Sequence, residues 1–255
     1  MSAVATPEVP LEGRSLPAFA LIGWRWVSRN PASAIAPIML PFIFLYFLHL
    51  ISAPSLFPLE VIGAMLFTTQ NIGSWVLGDS ATWRIENSLQ DMFVASPLGK
   101  LRYLFGVAFS NLIPASPALA ILSVLLAVTI GRPVPWYAWP VLLGSILVLW
   151  LLFSSVGIAI SSRVRSQREI WPVGNLTFTV LGMLSPLYYP LSYLPPVIQA
   201  AARFLPATYA ALLVQGVFGI TAQSPSQMAV DGLLLLACAG VGTLAALQLY
   251  RWREG

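Results

Sequence analysis

The sequence predicts an all-α integral membrane protein. Six transmembrane helices are expected, with an amphipathic interfacial helix before them, a charged cytoplasmic helix after the second, and short re-entrant helices at the outer face between the fifth and sixth. Three observations carry this. Of 255 residues, 58% are hydrophobic and only 9% charged, against roughly 25% charged in a soluble domain, so hydrocarbon is the main solvent. Six stretches reach the roughly 20 mostly apolar residues that a helix needs to cross a bilayer. The basic residues also segregate strongly by loop.

The spans are expected at about 33–51, 59–78, 104–130, 137–161, 171–190 and 229–249, within one membrane domain covering 1–255. Prolines inside the first, third and fifth would break a soluble helix, but in a membrane neighbouring helices can satisfy the freed backbone groups. Residues 1–32 form a cytoplasmic tail and interfacial helix. The first twenty residues lack the charged start and short apolar core of a cleaved signal peptide, so the first span serves as the targeting signal. Leu16 to Asn30 mixes apolar residues with Trp24, Trp26, Arg25 and Arg29, which suit the headgroup zone and lipid phosphates. The simpler reading is a plain extension of the first span.

Arg14, Arg25 and Arg29 precede the first span, and Arg84, Lys100 and Arg102 follow the second. Arg163, Arg165 and Arg168 follow the fourth, and Arg251 and Arg253 follow the last. Only Arg132 and Arg203 fall on the opposite side. Both termini are therefore expected in the cytoplasm. The apolar stretch 191–220 is cut by Pro195, Pro196 and Pro206 into pieces too short to cross. A seventh span there would also move Arg251 and Arg253 outside. It reads as one or two short helices dipping into the outer leaflet, covered by protein or lining a cavity.

Several chemistries are disfavoured. His49 is the lone histidine and Cys238 the lone cysteine, so neither a His or Cys metal site nor a disulfide framework is expected. Glu60, Asp79, Asp91 and Asp231 fall at span ends or in loops rather than at mid-bilayer, where ion-coupled transporters keep ionisable groups. The phosphate-cradling G-x-x-x-x-G-K-[ST] pattern is missing: Gly99-Lys100 is followed by Leu101, with Val94 in place of the first glycine. No clustered basic face suggests nucleic acid. No serine or threonine has a base nearby in sequence, which disfavours an enzyme.

Polar residues do occur inside the spans. Thr68, Thr69, Gln70, Asn71 and Ser74 cluster in the second, and Asn175, Thr177 and Thr179 beside Phe178 mark the fifth. They read either as interhelical glue, worth about 1 kcal/mol or less per pair, or as the lining of a pathway for an amphipathic substrate.

The most polar interior stretch is Trp83 to Tyr103. Written as a helix over 83–95, it places Ile85, Leu89, Met92 and Phe93 on one apolar face. Arg84, Asn87, Ser88 and Asp91 take largely the other side, with Glu86 and Gln90 at the margin, before Pro97 and Gly99 end it. Such a helix either rests on the membrane or offers its polar face to a cytoplasmic partner.

This loop resembles that of the permease subunits of type-2 ABC exporters. Arg84 and Glu86, Leu89, Ser96-Pro97-Leu98 and Lys100 match the family pattern in order, although Asn87-Ser88-Leu89-Gln90 replaces its usual Gly-Thr-Leu-Glu-type core. A second resemblance covers Leu184 to Val217. There a Pro-containing outer turn and a Leu-Pro helix lead to an Arg-x-x-Pro-x-Thr-Tyr segment carried by Arg203, Pro206, Thr208 and Tyr209.

The resemblance implies a permease working as a dimer with a second copy or paralogue, each half seated on a separate ABC ATP-binding subunit. ATP and Mg would sit on that partner, with no cofactor in this chain. The helix at 83–95 would be the coupling helix, touching the ATPase through Arg84, Ile85, Glu86, Leu89, Asp91, Met92 and Phe93. The second and fifth spans would face the pathway, making Thr69, Gln70, Asn71, Ser74, Asn175, Thr177 and Phe178 its candidate lining. The Arg163–Glu169 loop would be a second cytoplasmic contact or an orientation anchor. The expected location is a prokaryotic plasma membrane, with lipids as further partners. Family substrates run from hydrophobic drugs and antibiotics to lipids and lipid-linked glycans. The competing class is a non-transporting membrane enzyme or assembly factor acting on lipid at the outer leaflet.

Overall fold

The computed structural model describes residues 15–85 and 99–250, and no strand occurs among them. Nine α-helices are described: α1 Ser15–Arg29, α2 Pro31–Ile51, α3 Phe57–Ile85, α4 Lys100–Thr129, α5 Ala138–Ser161, α6 Gln167–Leu184, α7 Pro196–Ala202, α8 Pro206–Val217 and α9 Pro225–Leu249. Each of the six apolar stretches is helical. By length and composition α4, α5 and α9 are able to cross a membrane, and α7 with α8 passes the same test as one segment bent by 97°.

Three boundaries differ from expectation. The second span and the charged helix were expected to be separate, yet α3 runs unbroken through Gly78 to Ile85. The fifth span was expected to reach residue 190, but α6 stops at Leu184, because Pro186 disfavours helix at Ser185. Ser185 is extended (φ −80°, ψ 136°). The sixth helix begins four residues early, at Pro225. A capping box sets that start: Ser224 Oγ accepts from the Gln227 N–H at 3.3 Å, and the Ser224 N–H donates to Gln227 Oε1 at 3.0 Å. Ser-x-x-Gln is the sequence form of that motif. The helix expected before the first span is present as α1, distinct from α2 because Asn30 (φ −128°, ψ 62°) breaks the chain between them.

Helix α3 is the hub, packing against α2, α4, α5, α6 and α8. Small residues set its approach to α5. A Cβ on Gly157 would lie 2.2 Å from the Gly73 carbonyl oxygen, and one on Gly73 would meet the Phe178 ring at 2.4 Å. Close crossing at small residues is how membrane helices gain dispersion contacts without a hydrophobic drive between them. Helix α1 locks onto α4 the same way: a Cβ on Gly23 would sit 2.4 Å from the Ser110 carbonyl, and one on Gly106 2.2 Å from the Phe19 ring. Pro114 and Pro117 lie within α4 without ending it.

Helix α9 shows how inside and outside are arranged. Leu233, Leu236, Val241 and Leu244 are exposed, whereas its buried residues are Leu235, Ala239 and Ala246. Large side chains outward and small ones toward the bundle is the pattern expected where the surrounding solvent is lipid.

The bend between α7 and α8 is stitched by the motif that sequence singled out. Thr208 Oγ1 donates to the Ala202 carbonyl at 2.6 Å, and Tyr209 Oη donates to the Arg203 carbonyl. Both acceptors lie at the C-terminal end of α7, where carbonyls lack partners within their own helix.

Candidate functional site

Arg84 lies in the last turn of α3 and donates through Nη2 to the carbonyls of Ser161, at 2.8 Å, and Val164. Those acceptors end α5 and begin the loop after it, so one guanidinium braces the end of α3 against the end of α5. Within that loop, the Arg165 N–H donates to Glu169 Oε2 at 3.3 Å. Lys100 does the same for α9: Nζ donates to the carbonyls of Leu247 at 2.8 Å and Tyr250 at 3.2 Å, and lies 5.4 Å from the Tyr250 ring centroid. On the opposite side, Arg132 Nη2 donates to the carbonyls of Phe218, at 2.8 Å, and Gly219, just past α8. Cations at helix C-termini satisfy orphan carbonyls and oppose the negative end of the helix dipole. Sequence marked these three residues as indicators of sidedness; the structure adds a capping partner for each.

Burial pushes the Tyr250 phenol up to about 12, with the nearby Arg84 charge pulling the other way. Tyr250 is therefore neutral at physiological pH and serves as a buried wedge between α9 and this cationic corner. Ile85 ends α3 half-buried. The remaining coupling candidates, Glu86, Leu89, Asp91, Met92 and Phe93, lie outside the described residues.

The polar cluster of α3 divides into two groups. Gln70 is buried and donates through Nε2 to the Phe178 carbonyl at 2.7 Å, joining α3 to α6. Thr69 is buried and bonds back to the Met65 carbonyl at 2.8 Å. Ser74 is buried facing Gly174, whose added Cβ would lie 2.8 Å from its Oγ. Phe178 is buried too, with its ring against Phe153, centroids 6.0 Å apart. Gln70, Ser74 and Phe178 thus meet across the α3–α6 seam, with Phe178 also against α5, while Thr69 bonds within α3.

Asn71, Asn175 and Thr177 are accessible. Asn175 is exposed and Thr177 half-buried on α6. Asn71 is half-buried and donates through Nδ2 to the Phe67 carbonyl at 3.0 Å. Among the described residues its Oδ1 has no hydrogen-bond partner.

Asn71 lines a cavity of about 490 Å³ between α2, α3 and α6. Its wall is aromatic. Phe44 stacks on Phe67 (centroids 6.2 Å, 14°) and meets Tyr188 edge-on at 4.9 Å. Thr68 and Thr179 add polar points, and Gly182 opens space beside Phe67. The roof is the turn after α6: a Cβ on Gly63 would strike the Leu187 carbonyl at 2.3 Å, so that segment is pressed onto α3. Ligand sites are mostly apolar with a few placed polar groups, and this cavity has that make-up. Sequence found its polar residue Asn71 but missed Phe44, Phe67 and Tyr188. Those three aromatics come from three separate segments, and their convergence carries no signal until helix pairing is known.

A family model described as ABC-2 type transporter matches residues 18–218. A comparison with curated proteins finds no match.

Proposed function

The chain belongs to the ABC-2 type transporter family, and on that footing we propose that it is the transmembrane permease subunit of an ATP-driven ABC exporter. It moves a hydrophobic or amphipathic substrate outward, powered by a separate ATP-binding subunit that carries ATP and Mg. The observation that carries the substrate class is the aromatic cavity between α2, α3 and α6, with Asn71, Thr68 and Thr179 as its sparse polar points. Such a lining binds by apolar burial and orients by a few hydrogen bonds. Six spans, α2 to α6 and α9, enclose little volume alone, so a second copy or paralogue completes the path, with Asn175 and Thr177 on the accessible side of α6. Both termini lie in the cytoplasm of a prokaryotic cell whose plasma membrane holds the complex.

Energy enters at the cytoplasmic end. The segment after Arg84 docks in the ATPase, and α3, continuous from Phe57 to Ile85, transmits its movement directly to Asn71 and the cavity wall. A helix interrupted near residue 78 would dissipate that motion; a continuous one acts as a lever.

Docking is tested by co-purification. Replacing Leu89 and Phe93 together by Asp should abolish capture of the ATP-binding subunit while the permease still purifies in the membrane fraction. Full capture by the double variant would sink the coupling-helix assignment. In the cavity, Asn71→Leu removes one hydrogen-bonding point worth about 1 kcal/mol, so transport of a substrate that uses it should fall about fivefold with complex yield unchanged. A matching loss of yield would instead make Asn71 a packing residue.

A further inference from the structure

A second cavity, of about 630 Å³, opens near the cytoplasmic end of α3 between α1, α3, α4 and α6. Its composition differs from the first. Trp75, Asp79 and Trp83 recur at i, i+4 and i+8, which places them on one face of α3. Trp26 of α1 and Trp171 of α6 line the same cavity, with Asn111 of α4. Four indoles and one carboxylate thus surround a single hollow.

Asp79 is exposed to this hollow rather than sealed in protein. Asn111 is buried and donates through Nδ2 to Asp79 Oδ2 at 2.9 Å, and also to the Val107 carbonyl at 3.2 Å. The carboxylate is therefore held in place. Among the described residues no lysine or arginine forms an ion pair with it. Helix packing keeps the hollow in shape: Gly23 brings α1 against the Ser110 carbonyl, and the Trp171 ring reaches over Gly78, 3.6 Å from where a Cβ would stand.

We infer that this cavity is a binding site for an organic ammonium group, carried either by a lipid headgroup or by a free amphiphilic cation. A carboxylate attracts the charge directly, and indole faces attract it through their quadrupole, most strongly among the aromatic residues. The same groups disfavour other ligands. An anion would meet the Asp79 charge, and a hard metal ion would want more oxygen ligands than Asp79 and Asn111 supply. A sugar would need a denser set of hydrogen-bond partners than Asp79, Ser110 and Asn111. Interfacial tryptophans that merely anchor a protein in the headgroup zone do not require a fixed carboxylate at their centre. Trp75 lines both this cavity and the α2–α3–α6 cavity, whereas Asp79, Trp26, Trp83 and Trp171 line this one and not that one, so the ammonium site does not depend on the transport reading.

The test uses the full-length chain alone, in nanodiscs of phosphatidylglycerol, titrated calorimetrically with benzyltrimethylammonium and with uncharged 3,3-dimethyl-1-butanol. The cation should bind saturably and the alcohol should not. Asp79→Asn should weaken the cation at least tenfold, and Asp79→Glu should recover most of it. Trp171→Leu, at an exposed position, should weaken it severalfold without disturbing the core, which guards against a misfolded Asp79 variant. Native mass spectrometry from mixed phosphatidylglycerol and phosphatidylethanolamine then separates the sources. Ethanolamine lipid retained by the native chain and lost in Asp79→Asn assigns a headgroup, whereas benzyltrimethylammonium binding without lipid retention assigns a free cation. Equal cation affinity in the native chain, Asp79→Asn and Trp171→Leu, or equal binding of the neutral alcohol, overturns the site.

Discussion

Gly157→Ala is expected to destabilise the bundle by about 3 kcal/mol, at the upper end of the usual overpacking cost. The single methyl it adds would lie 2.2 Å from the Gly73 carbonyl oxygen, with the Leu77 nitrogen at 3.3 Å. Both obstacles are backbone of α3, so no side chain can rotate away. Either α5 withdraws along its length or α3 bends, and each opens the seam that Phe153 and Phe178 fill. The comparison is Gly144→Ala on the same helix, where nothing lies within 4 Å of the new methyl. That change should be neutral or slightly stabilising, since alanine favours helix by up to about 1 kcal/mol over glycine. Thermal unfolding in detergent of the two variants beside the native chain reads the difference directly. Equal melting for both would show that α3 and α5 do not cross at Gly73 and Gly157.

Arg84→Ala is expected to loosen the junction between the ends of α3 and α5 and to separate ATP hydrolysis from transport. Its guanidinium serves two carbonyls, of Ser161 and Val164, and hydrogen bonds from a charged group contribute about 1.5–3 kcal/mol. Discounted for partial exposure, the loss is about 2 kcal/mol, or about thirtyfold in local opening. Amide exchange over residues 158–166 should quicken by that factor while the outer half of α5 is unchanged. Arg84→Lys retains charge but not the fork geometry, so it should fall between. Hydrolysis by the assembled ATPase should persist in Arg84→Ala while transport per ATP declines. Unaltered exchange at residues 158–166 would show that Arg84 does not brace the end of α5.

How much was readable in advance depends on the range of the interaction. All six long apolar helices were legible because hydrophobic length is a local property. Their ends moved by a few residues where a cap or a proline decided the matter, as at Ser224 and Pro186. The Ser-x-x-Gln pattern was present in the sequence and signals a helix start, so that boundary could have been placed. Continuity of α3 through Asp79 could not, because polar residues at its C-terminal end look like a loop until α1, α4 and α6 are seen around them. For the same reason Gln70 and Asn71, adjacent in sequence, part company in space. Gln70 bonds to α6, whereas Asn71, one position on, opens onto a cavity. Arg84, Lys100 and Arg132 were legible as charges beside apolar spans, but their carbonyl partners lie 77, 147 and 86 residues away, beyond any spacing rule.

Above all, we propose that this chain conducts an amphipathic substrate only when an ATP-binding partner drives it. The direct measurement is flux of a fluorescent amphiphile in sealed vesicles holding the purified chain and its ATP-binding subunit. Flux should require both proteins and should stop with a hydrolysis-deficient ATPase or without Mg and ATP. Flux of the same size without ATP, or with the ATPase omitted, would contradict the assignment.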